Sequence, residues 1–131
     1  MQFGLFYEWP NPTLRNWKLL FEEGVEQIQY SEALGFDYCL IAEHHFTNYG
    51  NSPAPLMQAL YIGQRTRRLR IGTAAVILPV WQPLRLAEEI AVLDTSLTAA
   101  LCAAWDVAIR PTKWLASGRI SAPPDKNSTR R

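Results

Sequence analysis

The sequence predicts an α/β fold built on a parallel sheet, and three observations carry that expectation. Short apolar runs alternate with longer stretches whose apolar residues recur every three or four positions. The runs are continuous rather than alternating, as in strands covered on both faces. Successive runs lie roughly 30 to 40 residues apart, the span of a βαβ crossover. A doubly wound sheet and a β/α barrel both begin this way. In either one, chemistry sits beyond the carboxyl ends of the strands.

The elements follow in order. Met1 to Tyr7 is apolar and aromatic and reads as a buried strand. Pro10 and Pro12 end it, and Asn11 and Thr13 mark a loop and a helix start. Trp17, Leu20, Phe21, Val25, Ile28 and Leu34 then form one apolar stripe, with Glu22, Glu23, Glu26 and Gln29 on the wet side and Gly35 as the stop. Tyr38 to Ala42 is the second strand. Pro55 to Gln64 reads as a second helix, and Arg65 to Arg68 as its closing turn. Leu69 to Thr73 is the third strand, and Val76 to Pro79 leads away from it. Pro83 opens a third helix carrying Leu86, Ala87, Ile90, Ala91 and Leu93.

Composition narrows the class. With 131 residues, 48% hydrophobic and 19% charged, the chain can bury the core of one domain. Disordered chains are poorer in apolar residues and higher in net charge. Two cysteines, Cys39 and Cys102, exclude a disulfide framework. No apolar run reaches the ~20 residues of a membrane span, and MQFGLFYEWP has no basic signal region. The expectation is a cytoplasmic protein with no membrane partner. The net charge of +1 hides a split: residues 1–97 carry ten acids and seven bases, residues 98–131 two acids and six bases.

Glu43-His44-His45 is the sharpest local feature, two imidazoles just past a buried strand, where a proton can be taken or given near neutral pH. Adjacent histidines after a strand point to opposite faces and chelate one ion poorly, so no metal is expected. Gly72-Thr73-Ala74-Ala75 is small and smooth enough for a flat ligand to approach the backbone, or simply for a crowded barrel mouth. Arg65, Arg67, Arg68 and Arg70 lie between a helix end and a strand start, away from the strand ends that carry chemistry. They read as a solvated turn rather than a nucleic-acid surface. Phe3 and Trp17 are expected in the core, and Tyr7 and Trp9 are candidates to line a pocket.

MQFGLF, EALGFDYCLIAEHHFTNYG and RLRIGTAAVILPVWQPLRLAEEIAVLD, in that order, resemble the luciferase-like flavin-dependent monooxygenases from Met1 to about Asp94. The resemblance implies the first three βα units of a TIM-type (β/α)8 barrel, with reduced FMN or, in some relatives, the deazaflavin F420 as cofactor. It implies a small organic substrate and O2 and a homo- or heterodimer; the arginine turn gives no reason to expect nucleic acid. By it His44 is the catalytic base, Glu43 and His45 are its neighbours in the cofactor pocket, and Thr73, Ala74 and Ala75 pass under the flavin ring. Relatives often carry a non-proline cis peptide there, and the small side chains of Ala74 and Ala75 are compatible with one.

A complete barrel of this kind needs ~250 residues, and the family's L-S-x-G-R, fourth strand and G-V-G-R-G-Y pattern is not visible after Asp94. Residues 95–131 therefore read as an irregular, poorly ordered tail to a truncated barrel, residues 1–94. The genetic code suggests its origin. Shifted by one base, the codons from Thr95 to Arg110 permit L-S-N-G-R-L-V-R-G-V-G-R-G-Y-P, with one glycine fixed by Trp105-Asp106. The expectation is a frameshifted, poorly soluble fragment with little or no activity and no flavin phosphate site.

Overall fold

The computed structural model describes residues 1–97, 99 and 101–106, the last five as backbone. Strand β1 is Gly4–Tyr7, β2 is Tyr38–Ile41 and β3 is Arg70–Ile77, joined through helices α1 (Trp17–Ala33) and α2 (Pro55–Gly63). A short 3-10 turn, Leu78–Val80, leads into α3 (Pro83–Ser96). All neighbouring strands are parallel and stand in chain order, β1-β2-β3, with a fourth strand β4 (Cys102–Asp106) beside β3. A doubly wound sheet reverses its strand order part-way. Among the described strands there is no reversal, so successive right-handed crossovers put the helices on one face, as in a barrel.

The register shows which face that is. Cys39, Ile41 and Ile71 are buried and pack with Val25 and Ile28 of α1, Leu56, Ala59 and Ile62 of α2, and Leu86 and Leu93 of α3. Leu5 and Tyr7 join this core from β1. The alternate residues, Gly4, Phe6, Tyr38, Leu40 and Gly72, belong to the opposite face, where Phe6 stays 57% exposed. That uncovered face corresponds to a barrel interior.

Several elements differ from the sequence reading. Helix α1 starts four residues later than Thr13: Asn16 caps it, its side chain accepting from the Lys18 and Leu19 amides. Asn11 works in the loop instead, its carbonyl oxygen accepting from the Arg15 amide at 2.7 Å while its amide group donates to the Arg15 carbonyl. Trp17 and Phe3 lie at the surface, 37% and 58% exposed. Trp9 is 1% exposed and stacks on Phe21 and Tyr7, so it belongs to the core between β1 and α1 rather than to a pocket. A Cβ on Gly24 would overlap the Trp9 indole, which is why α1 carries a glycine in its middle. Tyr7 also turns toward α1, its hydroxyl donating to Gln27.

The tail is not irregular at its start. Helix α3 continues through Thr95 to Ser96, and Cys102–Asp106 pairs with β3. Cys102-Ala103-Ala104-Trp105 is an apolar run, and the free backbone edge of β3 offers it hydrogen bonds. The expectations for residues 107–131 lie outside the described residues.

At the far end of the sheet, the arginine turn is engaged with the fold. Glu32 Oε1 accepts from the amides of Arg67, Arg68 and Leu69. Burial pushes that carboxyl up, but the three amide hydrogen bonds outweigh it and hold it below the ordinary range. The Arg65 guanidinium stacks on the Tyr61 ring. No helix among the described residues is long and apolar enough to cross a membrane.

Candidate functional site

The carboxyl ends of β1, β2 and β3 bring Glu8, Glu43-His44-His45 and the Ala74-Ala75 segment to one end of the sheet. Backbone hydrogen bonds lace their loops together. The Ala42 amide donates to the Tyr7 carbonyl at 3.0 Å, Asn51 to Trp9, Asn11 to Asn48, and His44 to Ser52 at 2.9 Å. The buried Ser52 hydroxyl is anchored on Gln58 of α2 at 2.5 Å. The loop after β2 is thereby held against both its own helix and the β1 loop.

At Ala74-Ala75 the register against β4 slips. Thr73 faces Ala103 and Val76 faces Trp105, so one extra residue is inserted in β3. Ile71, Thr73 and Val76 are all buried on the helix side, so the bulge leaves both alanines off that side, and both are partly exposed. The Ala74–Ala75 peptide is cis. Thr73 differs from the alanines. Its side chain shares the helix-facing side with Ile41, its register partner, and its buried hydroxyl makes no hydrogen bond among the described residues.

Glu43 is not open to the uncovered face. Its side chain is 0% exposed, and its oxygens accept from the Ile77 amide (2.7 Å), the Trp81 indole Nε1 (3.1 Å) and His45 Nε2 (2.5 Å). It ties the end of β2 to the end of β3 beside the bulge. His45 is thereby drawn toward Glu43, and His44 is left as the imidazole without a hydrogen bond: its Nε2 is buried and unpaired, 3.7 Å from Glu8 Oε1. Tyr49 packs edge-on against the His44 ring at 5.4 Å, and a Cβ on Gly50 would overlap it.

The sequence reading thus named His44, Glu43, His45, Ala74 and Ala75, which the fold does gather, and Thr73, of which only the backbone faces the same way. It gave Glu8 and Gly50 no role in the site and missed Trp81. A carboxylate directly after the first strand was a visible signal for Glu8; nothing local signals Trp81. Among the described residues no group of three or more His, Cys, Asp and Glu side chains could hold a metal ion.

Comparison with known proteins settles the family. The profile of the luciferase-like monooxygenases matches residues 1–97. The chain belongs to that family. Among its luciferase-like relatives, the alkanal monooxygenase alpha chain of the Kryptophanaron alfredi symbiont is 37% identical over 94 residues, covering 72% of this chain and 26% of the relative. The oxygenase component of a flavin-dependent trigonelline monooxygenase from Acinetobacter baylyi is 30% identical over 95 residues, with the same coverage. The chain spans about a quarter of the length of these curated relatives. A solved structure agrees in fold: the FMN complex of the oxygenating constituent of 3,6-diketocamphane monooxygenase, a type II Baeyer-Villiger monooxygenase from Pseudomonas putida, superposes with a TM-score of 0.85. It covers 95% of this chain and 34% of that one at 22% identity, a likeness of fold.

Proposed function

We propose that residues 1 to about 97 form the ring-binding part of a flavin-dependent monooxygenase site that takes reduced FMN, O2 and a small organic substrate. One observation carries the reading: the strand ends bring a smooth alanine surface together with the His44 imidazole, which makes no hydrogen bond among the described residues. A flat apolar ring needs the first. Chemistry that moves protons needs the second. The named relatives, one flavin-dependent and one acting as an alkanal monooxygenase, support the same reading.

When bound, the reduced flavin supplies the activation of O2. The chain's own residues do the rest. Ala74 and Ala75 offer backbone and methyl groups to one side of the ring. His44 takes or gives the proton at the reacting end. Glu43 and His45 hold the loop and the bulge in place from behind, and the closed core under the strands keeps water from that side. The EHHF segment favours FMN over F420.

Residues 1–94 are proposed as barrel sequence, and residues from about 95 onward as barrel sequence read one base out of frame. β4 then occupies the place of the family's fourth strand. On this reading the 131 residues alone bind flavin weakly and turn over little or nothing, because they span about a quarter of the relatives' length. A homo- or heterodimer belongs to the same proposal: one relative is itself an alpha chain, and Met57, Leu84 and Val92 stand exposed on α2 and α3. Anaerobic titration with reduced FMN tests the function. Saturable binding supports it, and none at any concentration refutes it.

A further inference from the structure

Gly50 closes one edge of the His44 ring. The bare backbone of Gly50 lies against Cδ2, where no Cβ fits, and Nε2 beside it is buried. The side chain as a whole is still 22% exposed, and that exposure excludes Nε2. Among the described residues no hydrogen bond reaches the other nitrogen, Nδ1. The ring therefore presents a closed Nε2 edge and an open Nδ1 edge.

Nε2 faces Glu8. The carboxylate oxygen stands 3.7 Å away, within ion-pair reach, and Glu8 makes no other side-chain contact of this kind among the described residues. Its placement is not accidental to a loose loop. Glu8 directly follows β1, Tyr7 is the register partner of Ile41, and the Ala42 amide is bonded to the Tyr7 carbonyl. The ends of β1 and β2 hold the two side chains next to each other. A buried ring nitrogen with no partner is unfavourable, and a facing carboxylate relieves it. The second imidazole does not compete: His45 Nε2 is on Glu43 at 2.5 Å.

Resting on the reading of His44 as the proton-handling group, we propose that Glu8 is its positioning residue. The carboxylate keeps the ring proton on Nε2 and so leaves the lone pair on Nδ1, the nitrogen that meets the ligand. When Nδ1 takes a proton the ring becomes an imidazolium with both nitrogens protonated, and Glu8 balances its charge. Return of the Nδ1 proton restores the neutral ring. No electrons are transferred, and Glu8 itself touches no substrate.

The chain has two histidines, which makes the test direct. The full chain is labelled with 15N-histidine and its ring N–H signals are recorded without flavin, with His45→Gln giving the assignment. Two Nε2–H signals are expected, one from His45 hydrogen-bonded to Glu43 and one from His44 facing Glu8 across 3.7 Å. Glu8→Ala abolishes the His44 signal and keeps that of His45, which reports an intact fold. Glu8→Gln, with the same size and a neutral acceptor, moves the His44 signal alone. If Glu8→Ala loses both signals, Glu8→Gln decides. A wild type lacking the His44 Nε2–H signal, or a His44 signal unmoved in Glu8→Gln, overturns the proposal. Because no flavin is present, this result stands apart from the flavin titration: saturable flavin binding with an unmoved His44 signal keeps the function and removes the role of Glu8.

Discussion

Replacing Glu43 by alanine removes the carboxylate that three donors share. The Ile77 amide is buried and loses its only hydrogen bond in that network, at 2.7 Å. A buried donor left unpaired costs about 1–3 kcal/mol, and this one belongs near the upper end. The Trp81 indole and the His45 ring are only partly buried, so water can compensate them in part, at about 1 kcal/mol each. The sum is about 4–5 kcal/mol, before any cost of the cavity. Glu43→Gln keeps the shape and one acceptor oxygen and should lose about 1–2 kcal/mol. Urea unfolding measures both. With a slope of about 2 kcal/mol per molar urea, the alanine variant moves the midpoint down by about 2 M. Small domains hold only about 5–15 kcal/mol, so the glutamine variant supplies the number if the alanine variant does not fold. A Glu43→Ala midpoint within about 0.3 M of wild type refutes the reasoning, because it would mean the buried amide finds another partner at no cost.

Other outcomes follow from the same structure. Gly24→Ala should destabilise by about 1–3 kcal/mol through overlap with the wedged Trp9 indole, although alanine in a helix interior is otherwise about 1 kcal/mol better than glycine; a rise in the urea midpoint contradicts this. Burial pushes the Cys39 thiol up to about 12, so its contribution to stability is complete below about pH 9 and is lost as pH rises toward 12. Cys39→Ala should therefore flatten the alkaline fall in stability by up to about 1.4 kcal/mol per pH unit, measured by urea midpoints between pH 8 and 11. Sequencing the coding DNA through codon 95 and beyond should reveal that one added base opens a long frame with the glycine-rich motif; absence of such a frame sinks the frameshift reading.

Local pattern carried most of the fold. The α1 stripe through Val25 and Ile28, the Tyr38 to Ala42 run and the Pro83 helix start are properties of neighbouring residues, and these elements form where periodicity puts them, although Trp17 and Leu34 at the ends of the stripe are exposed. The errors arise where distance decides. Trp9 looks like a pocket residue by itself; its burial comes from Gly24, fifteen positions on, which leaves room for the indole. The burial of Glu43 depends on Ile77 and Trp81, more than thirty residues away. The bulge at Ala74-Ala75 is invisible to periodicity, because two alanines suit either face and the slip exists only relative to β4. β4 itself was passed over because its apolar run sits in a stretch of altered charge. The choice between doubly wound sheet and barrel needed strand order, which no run of residues encodes.

The account rests on the claim that these strand ends hold a flavin ring. The most direct test titrates the full chain anaerobically with reduced FMN and compares wild type with Ala75→Leu, which places a branched side chain on the smooth surface. The account predicts saturable binding by wild type and at least ~10-fold weaker binding by the variant, the equivalent of about 1.4 kcal/mol. No saturable binding by the folded wild type, or equal affinity in the two chains, would contradict it.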